Sequence, residues 1–315
     1  MLGLNLQQLE YLVAVDTYKR FTIAAEKCFV TQPTLSMQVK KAEEQLDMVI
    51  FDRTRQPVVT TLLGQKVIKQ ARKIMSEYNR LEEIVREESG RIEGELTIGI
   101  IPSLAPYLLP RFVGAFKRDN PLVSISYKEM LTGEIIDALE HDLIDAAILV
   151  TPLHHNGIIE QVLFYEDILI YAHHEHPLHQ DKNLHISQLT SDGLWLMDKG
   201  HCFRSQAMNL CDIQDSARDD LPMHFESGSL DTIRKMVDVE GGYTLLPGLA
   251  TAELPFEFHK HVCEFDSPVP LREVSLVYSR SFYKRMLIDR LASSVTANVP
   301  EDMLLKERGQ VVEWK

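Results

Sequence analysis

The chain has 315 residues, 45% of them hydrophobic and 25% charged; this is ordinary globular composition, with room for two or three domains that each bury a core. No apolar run approaches the roughly 18 residues of a membrane span, and Met1–Glu10 lacks a basic segment followed by an apolar core, so a cytoplasmic protein with no membrane partner is expected. The net charge of −13 counts against a nucleic-acid partner for the whole chain, yet residues 1–64 hold seven basic side chains (Lys19, Arg20, Lys27, Lys40, Lys41, Arg53, Arg55) against seven acidic ones, so the deficit lies entirely downstream.

Residues 4–64 read as a compact helical unit. Leu6, Leu9, Leu12 and Val13 recur at helical spacing, then Phe21, Ala24, Ala25 and Cys28, then Leu35, Val39, Ala42 and Leu46. Thr31 is an N-cap residue, Pro33 sits in the first turn where a missing N–H costs little, and Val30 with Leu35 forms a hydrophobic staple. The third helix so defined presents Gln32, Thr34, Ser36, Gln38 and Lys41 away from its core. Phe51–Arg53 and Val58–Thr60 flank Gln56–Pro57 as a short β-wing.

The segments Phe21-Thr-Ile-Ala-Ala25, Thr31-Gln-Pro-Thr-Leu-Ser36 and Phe51-Asp-Arg53 resemble the winged helix-turn-helix of LysR-type transcription regulators. The resemblance implies a DNA-binding domain at 1–64 with double-stranded operator DNA as partner, its third helix entering the major groove. Gln32, Thr34, Ser36 and Gln38 are then the candidates for bases or nearby backbone, and Lys41, Arg53 and Arg55 for phosphates. The family usually carries Thr-x-Ala-Gly after the wing. Here Thr61-Leu-Leu-Gly64 stands instead, a packing variation.

From Gly64 to Ser89 one long helix is expected. Val67, Ala71, Ile74, Tyr78, Leu81 and Val85 follow alternating steps of four and three, a heptad seam with charged residues at most other positions. Residues 65–92 are therefore read as a dimerising linker helix, against the alternative of a surface helix packed on its own domain. Beyond Gly94 short apolar strands (Leu96–Ile101, Val123–Tyr127, Ala146–Val150, Ile168–Tyr171, Leu194–Met197, Tyr243–Leu246, Val274–Tyr278) alternate with helices (Tyr107–Arg118, Glu134–His141, Arg204–Cys211, Leu230–Asp238, Tyr283–Ala297). Such alternation predicts α/β units on a mostly parallel sheet, and the length of 93–315 suggests two lobes with a cleft, where ligands usually sit.

The four cysteines, Cys28, Cys202, Cys211 and Cys263, are too few and scattered for a secreted disulfide framework. Spacing alone makes Cys202 and Cys211 no more than two half-buried thiols. Their setting adds more: Gly200-His201-Cys202 follows a predicted strand and opens a helix, where N–H dipoles favour a thiolate. The stretch Gly200 to Cys211 resembles the redox loop of the OxyR branch of the LysR family, with two cysteines at the same separation. The likeness extends over the chain, including Ile98-Gly-Ile-Ile-Pro-Ser103, Tyr107-Leu-Leu-Pro110, Thr244-Leu-Leu-Pro247 and Ser275-Leu-Val-Tyr278.

That resemblance implies a two-lobed α/β regulatory domain of the periplasmic-binding-protein kind and a hydrogen peroxide sensor. Cys202 is then the peroxide-reactive thiol, Cys211 the resolving thiol, and their disulfide the reversible signal. Ser103 and Thr132 match hydroxyl positions that hold peroxide, and His201 and Arg272 match neighbours that polarise peroxide and lower the thiol pKa. Cys28 and Cys263 are packing residues. The resemblance further implies self-association to a dimer and a tetramer, RNA polymerase as a partner, a reductant of the thioredoxin or glutaredoxin type, activation of oxidative-stress genes, and no cofactor or metal. The His173-His-Glu-His-Pro-Leu-His179 tract has metal-ligand residue types, but its place between a strand and Pro177 reads as a solvated loop. Two alternatives remain: a LysR-type regulator answering a small organic effector in the interlobe cleft, with incidental cysteines, and a thiol peroxidase, which would need neither the helix-turn-helix nor the heptad linker.

Overall fold

In a computed structural model of the chain, residues 3–88, 92–180, 183–211, 227–280, 282 and 284–314 are described. Two compact units emerge: Met1–Ile92 with His141–Leu143 and Ser281–Met286, and the remainder from Glu93 onward.

In the first unit Asn5 starts α1 (Leu6–Tyr18) with a reciprocal capping box: its side chain accepts the Gln8 amide and its own N–H donates to Gln8 Oε1. After α2 (Phe21–Lys27), Thr31 begins α3 (Gln32–Leu46) by accepting the Thr34 amide at 3.4 Å, with proline in the first turn. Leu12, Val15, Ala24, Leu35, Val39 and Ala42 share one core with Ile50 and Phe51. Leu6, expected in that core, is 39% exposed because it stands at the open end of α1. The wing is an antiparallel pair, β1 (Phe51–Asp52) and β2 (Val59–Thr60), and α4 (Leu62–Glu88) follows. Ile68 and Ala71 of α4 are buried in the same core, while Ile74, Tyr78, Leu81, Ile84 and Val85 stand exposed along the helix. Ser89, where the long helix was expected to end, lies outside the described residues.

The second unit is built on one mixed sheet. β3 (Gly94–Ile100), α5 (Ala105–Asp119), β4 (Val123–Glu129), α6 (Thr132–Glu140) and β5 (Ala146–Thr151) form α/β units in which β3 pairs parallel with both β4 and β5. Then come β6 (Ile158–Ala172), β7 (Asn183–Leu184), α7 (Cys202–Leu210), α8 (Leu230–Glu240), β8 (Tyr243–Pro247), α9 (Gly248–Ala252), β9 (Val262–Phe265), β10 (Val269–Ser279), α10 (Arg285–Thr296) and β11 (Gly309–Val311). The strand order is β4-β3-β5-β10-β6-β9-β7, with β8 on β6 and β11 on β10. The expectation of a mostly parallel sheet is thus corrected. β10 is antiparallel to β5 and β6, and β6 is antiparallel to β8 and β9, because β10 returns late in the chain between strands laid down earlier. The 15-residue β6 and 11-residue β10 run through both halves of the sheet and join the two lobes.

Two further differences are local. β6 begins ten residues before the expected Ile168 because its early part, Ile158–Val162, pairs with Ser275–Ser279 of β10. Leu194–Met197 forms no strand, only an isolated parallel bridge from Leu194 to Tyr243. Tyr283, the expected start of α10, lies outside the described residues.

Asp16 holds the winged unit together. Its Oδ1 accepts from Lys19 Nζ at 2.8 Å and from Thr60 Oγ1 at 2.6 Å, and its Oδ2 accepts from Arg72 Nη2 at 3.0 Å, so α1, the wing and α4 meet at one carboxylate. Burial alone would raise the Asp16 pKa, but the hydrogen bonds from Lys19, Thr60 and Arg72 outweigh it and hold the carboxyl below its ordinary value. A depressed carboxylate stabilises the fold above its unfolded pKa of about 3.9, and that contribution is lost as pH falls through the lower folded value. Asp16→Asn is expected to lower urea stability at pH 7 by about 1.5–3 kcal/mol, the worth of hydrogen bonds to a charged group. The deficit relative to the unsubstituted protein should shrink below about pH 4.

Candidate functional site

The local sequence places Cys202 at the start of a helix. Gly200 adopts φ +94°, a backbone region glycine enters freely, and turns the chain beneath Leu131. His201 is extended at the N-cap, and α7 begins with Cys202, two residues earlier than the sequence pattern suggested. Cys202 is buried, and Cys211, also buried, is the C-cap residue of the same helix; neither is in a disulfide.

The polar centre beside this helix is Arg272 on β10, which is fully buried. Directly opposite in the antiparallel register is Glu166 on β6. Arg272 Nε and Nη2 each donate to Glu166 Oε2 at 2.6 Å, and Glu166 Oε1 accepts the Leu249 amide at 2.7 Å. Burial raises the Glu166 pKa above its ordinary value despite the opposing guanidinium. Arg272 also reaches the turn after β3: Nη1 donates to Ser103 Oγ at 3.0 Å and Nη2 to Ser103 O at 3.2 Å. Its guanidinium carbon stands 5.2 Å from the centre of the Phe203 ring, a cation–π contact with the residue that follows Cys202.

The thiol lies within this field. Burial raises the Cys202 pKa above its ordinary value, opposed by the Arg272 charge and by the nearby Thr132 hydroxyl. The expectation of a lowered thiol pKa is therefore corrected: Arg272 acts in the foreseen direction, but full desolvation outweighs it. Thr132 Oγ1 is itself buried and makes no hydrogen bond, so its bonding positions are open. Burial also lowers the His201 pKa, against a weaker opposing effect of Asp198, so this imidazole is neutral near pH 7 and adds no positive charge.

Ser103, Thr132, Cys202 and Arg272 are thus gathered around one point. Cys211 lies at the far end of α7, and His201 packs beside Gly228. Sequence reasoning missed three participants: Glu166, Phe203 and Gln206. Gln206 is fully buried one turn beyond Cys202, donates to Val312 O at 2.9 Å, and leaves its Oε1 without a partner. The spacing from Cys202 to Gln206 was the available signal, since residues four apart share a helix face.

In the winged unit Gln32, Thr34 and Lys41 are exposed, while Ser36 and Gln38 are half-buried and Gln38 accepts a hydrogen bond from Gln8 at 3.4 Å. Arg53 donates to Glu43 at 2.7 Å and lies over the Phe21 ring, so it braces the wing against α3. Arg55 pairs with Asp52 at 3.4 Å and remains largely exposed. Met37, 61% exposed on α3, was not singled out because methionine at helical spacing reads as core. In the histidine tract, ligand atoms of His173, His174 and Glu175 lie within 4.8 Å of one another at a solvent-facing turn. His173 Nδ1 already accepts the Glu175 amide, and among the described residues no buried one completes the set. His179 instead pairs with Cys263, its Nδ1 3.3 Å from the sulfur.

Comparison with known proteins establishes the family. Residues 6–65 match the bacterial regulatory helix-turn-helix of the lysR family, and residues 89–299 match the LysR substrate binding domain. The chain belongs to the LysR family of regulators. It is 34% identical to the hydrogen peroxide-inducible genes activator of Haemophilus influenzae, over 94% of this chain and 97% of that protein. A full-length OxyR variant from Pseudomonas aeruginosa superposes with a TM-score of 0.79 at 29% identity, covering 94% of this chain and 98% of that one. A hydrogen peroxide-bound OxyR mutant from Corynebacterium glutamicum does so at 0.60 with 27% identity, covering 93% and 92%.

The raised Cys202 pKa has a measurable consequence. Alkylation of Cys202 by iodoacetamide, followed by peptide mass spectrometry, should still be accelerating as pH rises through 9, because the thiolate is the nucleophile. Thr132→Val removes a hydroxyl that favours the thiolate and should move the profile to still higher pH. A plateau near pH 7 would contradict the buried, protonated thiol.

Proposed function

We propose that this protein is a LysR-type transcription regulator that senses hydrogen peroxide through Cys202 and signals through a reversible Cys202–Cys211 disulfide. The observation that carries the reading is the convergence of a buried thiol, the Thr132 and Ser103 hydroxyls and the Arg272 guanidinium at one helix start. Ser103 Oγ accepts from Arg272, which leaves its own O–H free to donate to a peroxide oxygen. The Cys202 thiolate attacks one oxygen of peroxide, the O–O bond breaks, and the departing hydroxide takes a proton to give water and a sulfenic acid. The Arg272 charge and the hydroxyls stabilise the departing oxygen. The Cys211 thiol then attacks the sulfenic sulfur, the S–O bond breaks, and a second water leaves with formation of the disulfide. A dithiol reductant of the thioredoxin or glutaredoxin type returns the two electrons.

The geometry of α7 makes the bond a switch. Nine helical steps of about 1.5 Å separate the two Cα atoms by about 13 Å, whereas a disulfide tolerates about 4.4–6.8 Å. The helix must therefore unwind before the sulfurs can join, and the lobes around it repack. The output is operator DNA binding by the winged unit and contact with RNA polymerase. The exposed stripe of Ile74, Tyr78, Leu81, Ile84 and Val85 on α4 fits a second copy of the chain, giving dimers that can assemble to tetramers.

Cys202→Ser should abolish the peroxide response of DNA binding, while Cys28→Ala and Cys263→Ala leave it intact. Cys211→Ser should accumulate a sulfenic acid that dimedone traps. Modification of Cys263 before Cys202 at low peroxide would overturn the assignment.

DNA contacts are separable by salt. Fluorescence anisotropy should show Lys41→Ala weakening all sequences alike and reducing the slope of log affinity against log salt by about 0.9. Gln32→Ala should instead relax preference at one base pair by about 1–3 kcal/mol.

A further inference from the structure

The segment 309–314 touches the redox helix and the Arg272 strand together. β11 runs parallel to β10 with Val269 opposite Gly309 and Leu271 opposite Val311, so it ends beside Arg272. The approach is close: a Cβ on Gly309 would meet the Val269 carbonyl oxygen at 2.0 Å. Val312 N–H then donates to Leu271 O at 2.8 Å. From the other side, two side chains of α7 hold the same segment, Gln206 Nε2 donating to Val312 O at 2.9 Å and Asn209 Nδ2 to Glu313 O at 2.8 Å. Trp314 Nε1 anchors the far end on Pro152 O at 3.0 Å.

We infer that residues 309–314 are a strap that positions Cys202 by keeping α7 wound in the reduced protein, with Gln206 and Asn209 as its positioning residues, and that closing the disulfide releases it. The inference rests on the peroxide chemistry proposed above. Gln206 and Asn209 lie between the two cysteines, four and seven residues beyond Cys202, on the part of the helix that must unwind. β11 fixes Val312 and Glu313 to the sheet, so the unwound segment cannot keep both of its amides on their carbonyls. What disulfide formation breaks must, by reciprocity, resist disulfide formation. The strap therefore stabilises the dithiol and raises the reduction potential of the pair. Two hydrogen bonds of ordinary net strength together bias that equilibrium by about tenfold.

The test uses the full chain in three forms: unsubstituted, Asn209→Ala, and a chain ending at Val311. Each is equilibrated in dithiothreitol redox buffers, and the Cys202–Cys211 state is read by mass spectrometry. Removing 312–315 should favour the disulfide about tenfold, a midpoint about 30 mV more negative for a two-electron couple. Asn209→Ala, at an exposed position, should give about a threefold shift, roughly half the truncation's effect on a logarithmic scale. Amide exchange at 312–314 should be slow in the reduced unsubstituted protein and faster after oxidation. Unchanged midpoints in both variants, or equal exchange in both redox states, would overturn the strap while leaving peroxide sensing intact. Should the truncated chain not fold, Asn209→Ala and the exchange comparison decide. If the unsubstituted protein forms no Cys202–Cys211 disulfide, both the strap and the reading beneath it fall.

Discussion

The regulatory unit depends on one buried ion pair. Arg272 and Glu166 face each other across the two longest strands, which are also the strands that join the halves of the sheet. Removing one member of such a pair leaves an uncompensated buried charge and costs about 3–5 kcal/mol, whereas the intact pair adds little net stability over apolar residues. Its value here is positional. Arginine keeps its charge in any protein environment, and its planar fork serves Glu166 and Ser103 together while its face stacks on Phe203. The same group thus fixes the sheet crossing, the turn after β3 and the first residues of α7.

Around that charge the thiol is held in tension. Desolvation keeps it protonated, and the guanidinium and Thr132 pull toward the thiolate. A thiol of this kind is protected from bulky or charged oxidants by burial, while a small neutral oxidant that brings its own hydrogen-bonding groups can enter and use the open position on Thr132. In the proposed sensor, selectivity would come from access and from hydroxyl placement more than from a highly acidic cysteine.

The winged unit was legible in the sequence because each local signal there is short-range: the Thr31 cap, Pro33, the Val30 staple and the period of the core residues all lie within a few positions of one another. The redox helix was legible for the same reason, since Gly200-His201 marks its start. Residues that act across the fold were not. Glu166 becomes visible only once β6 and β10 pair, 106 positions apart in sequence. The mixed strand directions escaped notice because alternation of strands and helices says nothing about where a late strand such as β10 inserts. Ser103 and Arg272 were named through likeness to a family, and nothing in their own neighbourhoods would have brought them together. Glu43, which approaches the candidate phosphate ligand Arg53 from α3, is likewise invisible in a linear reading.

The shortness of α7 has a consequence for signalling. Nine residues fall below the about 12–15 at which a helix persists in water by itself, so this one stands only because its side chains are anchored to three other parts of the fold. A helix of that length has no stable half-unwound form: nucleation is costly, and losing a turn leaves too little to propagate from. Under the proposed disulfide chemistry a single two-electron oxidation would be converted into an all-or-none structural change, each molecule reporting peroxide as a digital event. A graded cellular response would then reflect how many molecules have fired, with no partially activated regulator in between.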